Sequence, residues 1–161
     1  MKILHTADWH LGKKLDRFSR LEEQIEVLEE IIGVADEKAV DLVLIAGDLF
    51  DNFNPSVEAI ELFYKTLKRL TSHGKRPVIA ISGNHDSPYL IDSPNSLARE
   101  CGIILIGHPN TKVQPMNLEH FKITASAEGF FELQLKNQNF PVRIVHTPYA
   151  SEMRLKEYFG E

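Results

Sequence analysis

The stretch DLVLIAGDLFD, at residues 41–51, joins a continuous apolar run to a polar loop that follows it directly. Apolar runs without alternation are typical of strands that are covered on both faces, as in a parallel sheet. Gly47 permits a tight backbone turn, so that Asp48 leaves the strand at its carboxyl end. The stretch therefore predicts a buried strand over residues 41–46, with acidic side chains just beyond it.

Two other short motifs stand in the same position relative to apolar runs. DWH at residues 8–10 follows a strand-like segment at 2–7, and GNHD at residues 83–86 follows a third apolar run at 77–81. Open α/β sheets bind their ligands at the carboxyl ends of the strands, where the loops converge. We therefore expect the three motifs to gather carboxylate, imidazole and amide groups at one edge of a sheet.

The rest of the chain predicts an α/β fold whose pattern changes near residue 107. Before that point strands alternate with helices, which calls for right-handed βαβ crossovers. Beyond it, apolar and polar residues alternate at 131–135, as in a half-exposed antiparallel strand. Helices are predicted at 17–38, at 94–100, and between an Asn54-Pro55 cap and a stop near Gly74. Further strands are predicted at 103–106 and 142–145, with a turn at 136–139 and the start of a helix in 151–161.

Length and composition describe one ordinary globular domain over residues 1–161. The net charge of −5 argues against a general nucleic-acid-binding surface. The single cysteine, Cys101, excludes an intrachain disulfide and fits a reducing compartment. The N-terminus lacks the apolar segment of a signal peptide, and no apolar run approaches the roughly 18 residues of a membrane span. We therefore expect a cytoplasmic protein without a membrane segment.

Four residues of the motifs have the chemistry of metal ligands. Asp8 and His10 are two residues apart, so along an extended chain they face the same way and suit one cation. The two carboxylate oxygens of Asp48 suit a bridge between two cations, and the amide oxygen of Asn84 suits the second. Mixed nitrogen and oxygen ligands favour Mn²⁺, Fe²⁺ or Zn²⁺ over Mg²⁺ and Ca²⁺. Two such cations hold a phosphate ester and activate water, which predicts phosphate-ester hydrolysis.

The remaining polar residues of the motifs suit supporting roles. His85 follows a predicted ligand, and its imidazole either stabilises developing charge or protonates the leaving group. Asp86 and Asp51 are placed to orient neighbouring ligands. A basic cluster follows the first motif and is either part of a solvated helix or a phosphate-contacting loop. It comprises Lys13, Lys14, Arg17 and Arg20.

The chain resembles the SbcD-type DNA nucleases of the calcineurin-like metallophosphoesterase superfamily. The resemblance rests on HTADWHLG at 5–12, GDLFD at 47–51 and GNHDSP at 83–88. It implies a two-sheet α/β sandwich flanked by helices, and a Mn²⁺-dependent nuclease that trims DNA ends and nicks hairpins in repair and recombination. It also implies a dimer that works with an SbcC-type ATPase. By position, the metal ligands are Asp8, His10, Asp48 and Asn84, and the catalytic histidine is His85.

The sequence departs from the family pattern after residue 107. A further metal-binding histidine and a Gly-His-x-His string are not evident, although His108 and His146 are weak alternatives. We therefore expect 1–161 to be the N-terminal part of the nuclease domain, with the sandwich incomplete at its C-terminus and the later histidine motifs and C-terminal domains absent. We further expect weak metal binding, little or no activity of the chain alone, and self-association through an open sheet edge.

Two other functions remain open from the sequence. A stand-alone phosphodiesterase or phosphatase acting on a small phosphate ester would suit the acidic net charge. A non-catalytic dimerisation module would keep the fold without the chemistry. The WHLG string at 9–12 and the basic cluster favour the nuclease.

Overall fold

Strands and helices alternate in the first two thirds of the chain, and three strands and one short helix follow. The computed structural model describes residues 1–93 and 95–155. In chain order the elements are β1 Ile3–Thr6, β2 Lys14–Leu15, β3 Phe18–Ser19, α1 Leu21–Glu37, β4 Leu42–Ala46, α2 Val57–Leu70, β5 Val78–Ile81, α3 Pro88–Asp92, α4 Asn95–Glu100, β6 Ile103–Ile106, β7 Phe121–Ala127, β8 Phe130–Leu135, β9 Val142–Val145 and α5 Glu152–Leu155.

The predicted parallel sheet is present, with strand order β1-β4-β5-β6. In β4, Val43 and Ile45 pack into a core beneath the helices, whereas Leu42 and Leu44 pack against the second sheet. β5 divides in the same way, with Val78 on the helix side. Both faces are thus buried, which explains why these strands are continuous apolar runs rather than alternating ones.

Helices cover one face of the parallel sheet. α2 buries Phe63, Leu67 and Leu70 completely. The predicted Asn54-Pro55 cap is wrong, because the hydroxyl of Ser56 accepts a hydrogen bond from the amide of Ala59 and caps the helix there. α1 likewise begins later than predicted, since the residues before it form the antiparallel β2–β3 pair.

The second sheet covers the other face and is antiparallel, with order β7-β8-β9. The alternation predicted for 131–135 is confirmed in β8, whose Phe131, Leu133 and Leu135 pack against the parallel sheet. β7 was not predicted from the sequence, because a register shift between Ile123 and Ala125 interrupts its period.

The observed architecture is therefore the mixed α/β arrangement of two sheets with flanking helices. α5 occupies the start of the helix predicted at 151–161, and residues 156–161 lie outside the described part of the chain. Among the helices that the structure describes, none is both long enough and apolar enough to span a bilayer.

Candidate metal centre

The loops that follow β1 and β4 lie side by side at the carboxyl edge of the parallel sheet. The amide of Asp8 donates to the carbonyl of Gly47 at 3.1 Å, and that of His10 to the carbonyl of Asp48 at 2.9 Å. The amide of Leu11 continues the series at 3.0 Å from Leu49. Backbone pairing thus extends beyond the strands and fixes the first motif against the second.

Three residues of these loops have left-handed backbone conformations. φ is +56° at Asp8, +45° at His10 and +46° at Asp48. Such values are uncommon for residues other than glycine, and they persist where the surrounding contacts determine the backbone, often at functional sites. All three residues lie on the edge where the sequence places the metal ligands, although other left-handed residues occur elsewhere in the chain.

The third motif packs directly on Asp48. A Cβ atom at Gly83 would overlap both Asp48 Oδ1 and the backbone nitrogen of Asp48, so only glycine fits there. Asp48 Oδ1 also accepts a hydrogen bond from the amide of His85 at 3.1 Å. The three strand-end motifs therefore meet at one carboxylate.

His10, Asp48 and His85 form a group whose ligand atoms all lie within 4.8 Å of one another. His10 Nε2 is 3.8 Å from Asp48 Oδ2, and the two imidazole rings meet edge to face at 4.9 Å. His10 Nδ1 is buried without a hydrogen-bond partner in the part of the chain that the structure describes. The imidazole of His10 and the carboxylate of Asp48 are ligands that fit Mn²⁺, Fe²⁺ or Zn²⁺, and the imidazole of His85 lies beside them.

Asp51 lies beside both histidines of this group and holds one of them by a hydrogen bond. Its carbonyl lies 2.8 Å from His85 Nδ1, and a carbonyl only accepts, so Nδ1 carries the proton. In the neutral ring, the lone pair is then on Nε2. The Asp51 carboxylate is 3.7 Å from His10 Nδ1 and 3.3 Å from Lys13 Nζ. Asp51 therefore sets the tautomer of His85 and anchors the first basic residue.

Asp86 joins two loops by hydrogen bonds. It is fully buried, and its carboxylate accepts hydrogen bonds from the amides of Leu49 at 3.0 Å, Phe50 at 2.8 Å and Gly83 at 2.7 Å. This geometry supports the orienting role predicted for Asp86.

Not every predicted residue lies inside the group. Asp8 is exposed and lies outside the three residues that meet within 4.8 Å, and Asn84 is exposed on the loop that carries His85. His108 Nδ1 bonds instead to Asp92 Oδ2 at 2.8 Å, and the ring of His146 is buried beside Phe131. Neither of these histidines joins the group within the described ranges.

The basic cluster lies on and beside the β2–β3 hairpin, so the prediction of a helix over residues 17–20 is wrong. Lys14 and Arg17 are exposed, and the Arg17 guanidinium lies 5.3 Å from the ring centroid of Phe18. Arg20 precedes α1 and pairs with Glu23 at 2.6 Å. The cluster borders the metal edge through the contact of Lys13 with Asp51.

Gln24 was missed by the sequence reasoning. From α1, its side-chain oxygen accepts the amide of Gly12 at 3.0 Å, and its nitrogen donates to the carbonyls of Trp9 at 3.1 Å and His10 at 2.7 Å. The available signal was a polar residue within the apolar stripe of the helix, between Leu21 and Leu28. Gln24 thus holds the loop that carries the first motif.

Comparison with known proteins agrees with this geometry. Residues 1–151 match the family model described as calcineurin-like phosphoesterase. Three similar proteins each carry the name of the D subunit of nuclease SbcCD. The one from Bacillus subtilis (strain 168) is 47% identical over 119 residues, which is 74% of this chain and 30% of the relative. The one from Rhodobacter capsulatus is 39% identical over 108 residues, which is 66% of this chain and 27% of the relative. The one from Staphylococcus epidermidis is 49% identical over 86 residues, which is 53% of this chain and 23% of the relative.

The chain thus spans less than a third of the length of these curated relatives. The family match, in contrast, covers nearly the whole chain and includes all three strand-end motifs. The chain therefore belongs to the calcineurin-like phosphoesterase family.

Proposed function

We propose that the protein is the metal-dependent catalytic part of a DNA nuclease subunit of the SbcD type, which hydrolyses phosphodiester bonds at DNA ends or hairpins. The observation that carries the proposal is the meeting of His10, Asp48 and His85 at the carboxyl edge of the parallel sheet. That the activity is a nuclease is proposed from the names of the relatives.

Two divalent cations, Mn²⁺ before Fe²⁺ or Zn²⁺, would supply Lewis acidity and an activated water at this edge. Asp8 and His10 would hold one of them and Asn84 the other, with Asp48 between the two. The left-handed backbone at Asp8, His10 and Asp48 supports this assignment, because it directs the loops that carry them to a common point.

His85 is proposed as the catalytic histidine. The Asp51 carbonyl holds Nδ1, so Nε2 is the atom that acts. It either stabilises charge that develops on the phosphate or, once protonated, gives its proton to the leaving oxygen. Asp86 keeps the two loops in register through its three amide contacts. The Asp51 carbonyl orients the imidazole of His85.

The proposed substrate and partners follow from the basic hairpin and from the relatives. Exposed lysine and arginine side chains beside the proposed metal site suit phosphate contacts despite the net charge of −5. The relatives' naming as one subunit of SbcCD favours an SbcC-type ATPase as partner, and we propose that the protein works as a homodimer in the cytoplasm. The proposed DNA contacts are Lys13, Lys14, Arg17 and Arg20.

Parallel assays with Mn²⁺ on a labelled DNA duplex and on bis-p-nitrophenyl phosphate test the proposal. We expect slow, Mn²⁺-dependent cleavage of the duplex that is lost in Asp48→Asn and retained in Glu132→Gln, a control on the antiparallel sheet. Hydrolysis of the small ester alone would favour a stand-alone phosphodiesterase. The absence of both Mn²⁺-dependent hydrolysis and Mn²⁺ binding would favour a dimerisation module.

A further inference from the structure

A segment from Tyr149 to Leu155 crosses the loop that carries the third motif. The amide of Tyr149 donates to the carbonyl of Ser82 at 2.9 Å. From α5, Arg154 Nη1 donates to the carbonyl of Gly83 at 2.9 Å, and Nη2 donates to the carbonyl of Asp86 at 2.7 Å. One guanidinium therefore joins the two ends of the Gly83–Asp86 turn.

We propose that Arg154 is a positioning residue for the metal centre, which fixes the turn that presents Asn84 and His85. The two carbonyls that it binds flank these two residues in sequence. Both side chains are exposed, so the backbone of the turn sets the position from which each of them projects. The expected effect of Arg154 on metal-ion binding rests on the proposed function, whereas its effect on the order of the Gly83–Asp86 turn does not.

The geometry requires an arginine rather than any cation. The planar guanidinium presents several N–H donors in a fixed fork, whereas a lysine ammonium acts as a point charge. Nη1 also lies 3.3 Å from Ser82 Oγ, whose hydroxyl donates to the carbonyl of Gly107 at 2.7 Å. The Tyr149 ring centroid is 5.0 Å from the guanidinium carbon, which further fixes the plane of the fork.

Amide hydrogen exchange of the metal-free protein tests the effect on the turn. The Gly83 and His85 amides donate to Asp86 and Asp48, so they report on its order. In Arg154→Ala we expect their exchange to rise by at least about tenfold, with the amides of β4 and β5 unchanged. Arg154→Lys should restore little of the protection if the fork matters. Arg143→Ala, an exposed arginine paired with Glu132 on the second sheet, is the matched control.

Mn²⁺ titration of the same variants tests the effect on the site. Arg154→Ala should weaken binding by roughly 10- to 100-fold, as expected for residues that orient ligands, and Arg143→Ala should not. Unchanged exchange at Gly83 and His85, a uniform rise across both sheets, or faster exchange with unchanged Mn²⁺ affinity would each overturn the positioning role. If the unsubstituted protein binds no Mn²⁺ while the turn still responds, the proposed function fails and the role of Arg154 in holding the turn stands.

Discussion

The parallel and antiparallel sheets share a core but differ in what their loops carry. β1, β4 and β5 run in the same direction, so the loops after them leave at one edge and bring His10, Asp48 and His85 together. β7, β8 and β9 are joined by hairpins whose turns fall at opposite ends, and their inward residues are mainly apolar. Strand direction alone thus concentrates the chemistry on one sheet and leaves the other to cover it.

The largest difference in stability between the two sheets should appear when a carboxylate that binds loop amides is replaced. Asp86→Ala leaves two buried amides and one partly buried amide without their acceptor, so we expect the free energy of unfolding to fall by roughly 3 kcal/mol or more. Glu132→Ala on the antiparallel sheet removes only an ion pair with the exposed Arg143 and should cost about 1 kcal/mol or less. Urea unfolding measures both, and equal losses would contradict the comparison.

Glycine substitution should show a smaller difference. At Gly83 a methyl group meets the backbone of Asp48, so Gly83→Ala should destabilise the protein by about 1–3 kcal/mol and displace Asp48. Gly33 lies in α1 with nothing within 4 Å of an added Cβ, and Gly33→Ala should stabilise by about 0.5–1 kcal/mol. Thermal unfolding of the two variants tests the close approach of Gly83 to Asp48. A change of the unfolding temperature in the same direction in both variants would refute it.

The smallest expected effect concerns a polar residue buried beside the antiparallel sheet. Burial lowers the pKa of His146 below its usual value, and neither ring nitrogen has a partner among the described residues. The unfolded chain therefore takes up this proton more readily, so the stability contributed by the neutral ring is complete above about pH 6.5 and is lost as pH falls below it.

His146→Leu should remove that part of the pH dependence. Urea midpoints at about pH 7.5 and about pH 5.5 should separate less in His146→Leu than in the unsubstituted protein. His73→Leu, at an exposed histidine, serves as the control and should keep the full separation. The same separation in all three proteins would rule out His146 as its source.

The sequence predicted the parallel sheet well because its strands are buried on both faces and end at polar loops. It did not predict the β2–β3 hairpin, since Leu15 and Phe18 are largely exposed and leave no pattern of burial. The meeting of the three strand-end motifs at one edge of the parallel sheet was predicted for the same reason as the strands. The residues that hold the loops at this edge were not, because the contact of Arg154 with Gly83 joins positions 71 residues apart and has no local signature.

Mn²⁺ binding to the protein, to Asp48→Asn and to Glu132→Gln, followed by electron paramagnetic resonance, tests the central claim most directly. The asparagine of the first variant would keep the shape and the acceptor for the His85 amide, but it lacks the charge that the proposed bridge requires. We predict weak, saturable binding in the protein and in Glu132→Gln, and its loss in Asp48→Asn. Binding of Mn²⁺ by Asp48→Asn with unchanged affinity would contradict a metal centre at the edge where the three strand-end loops meet.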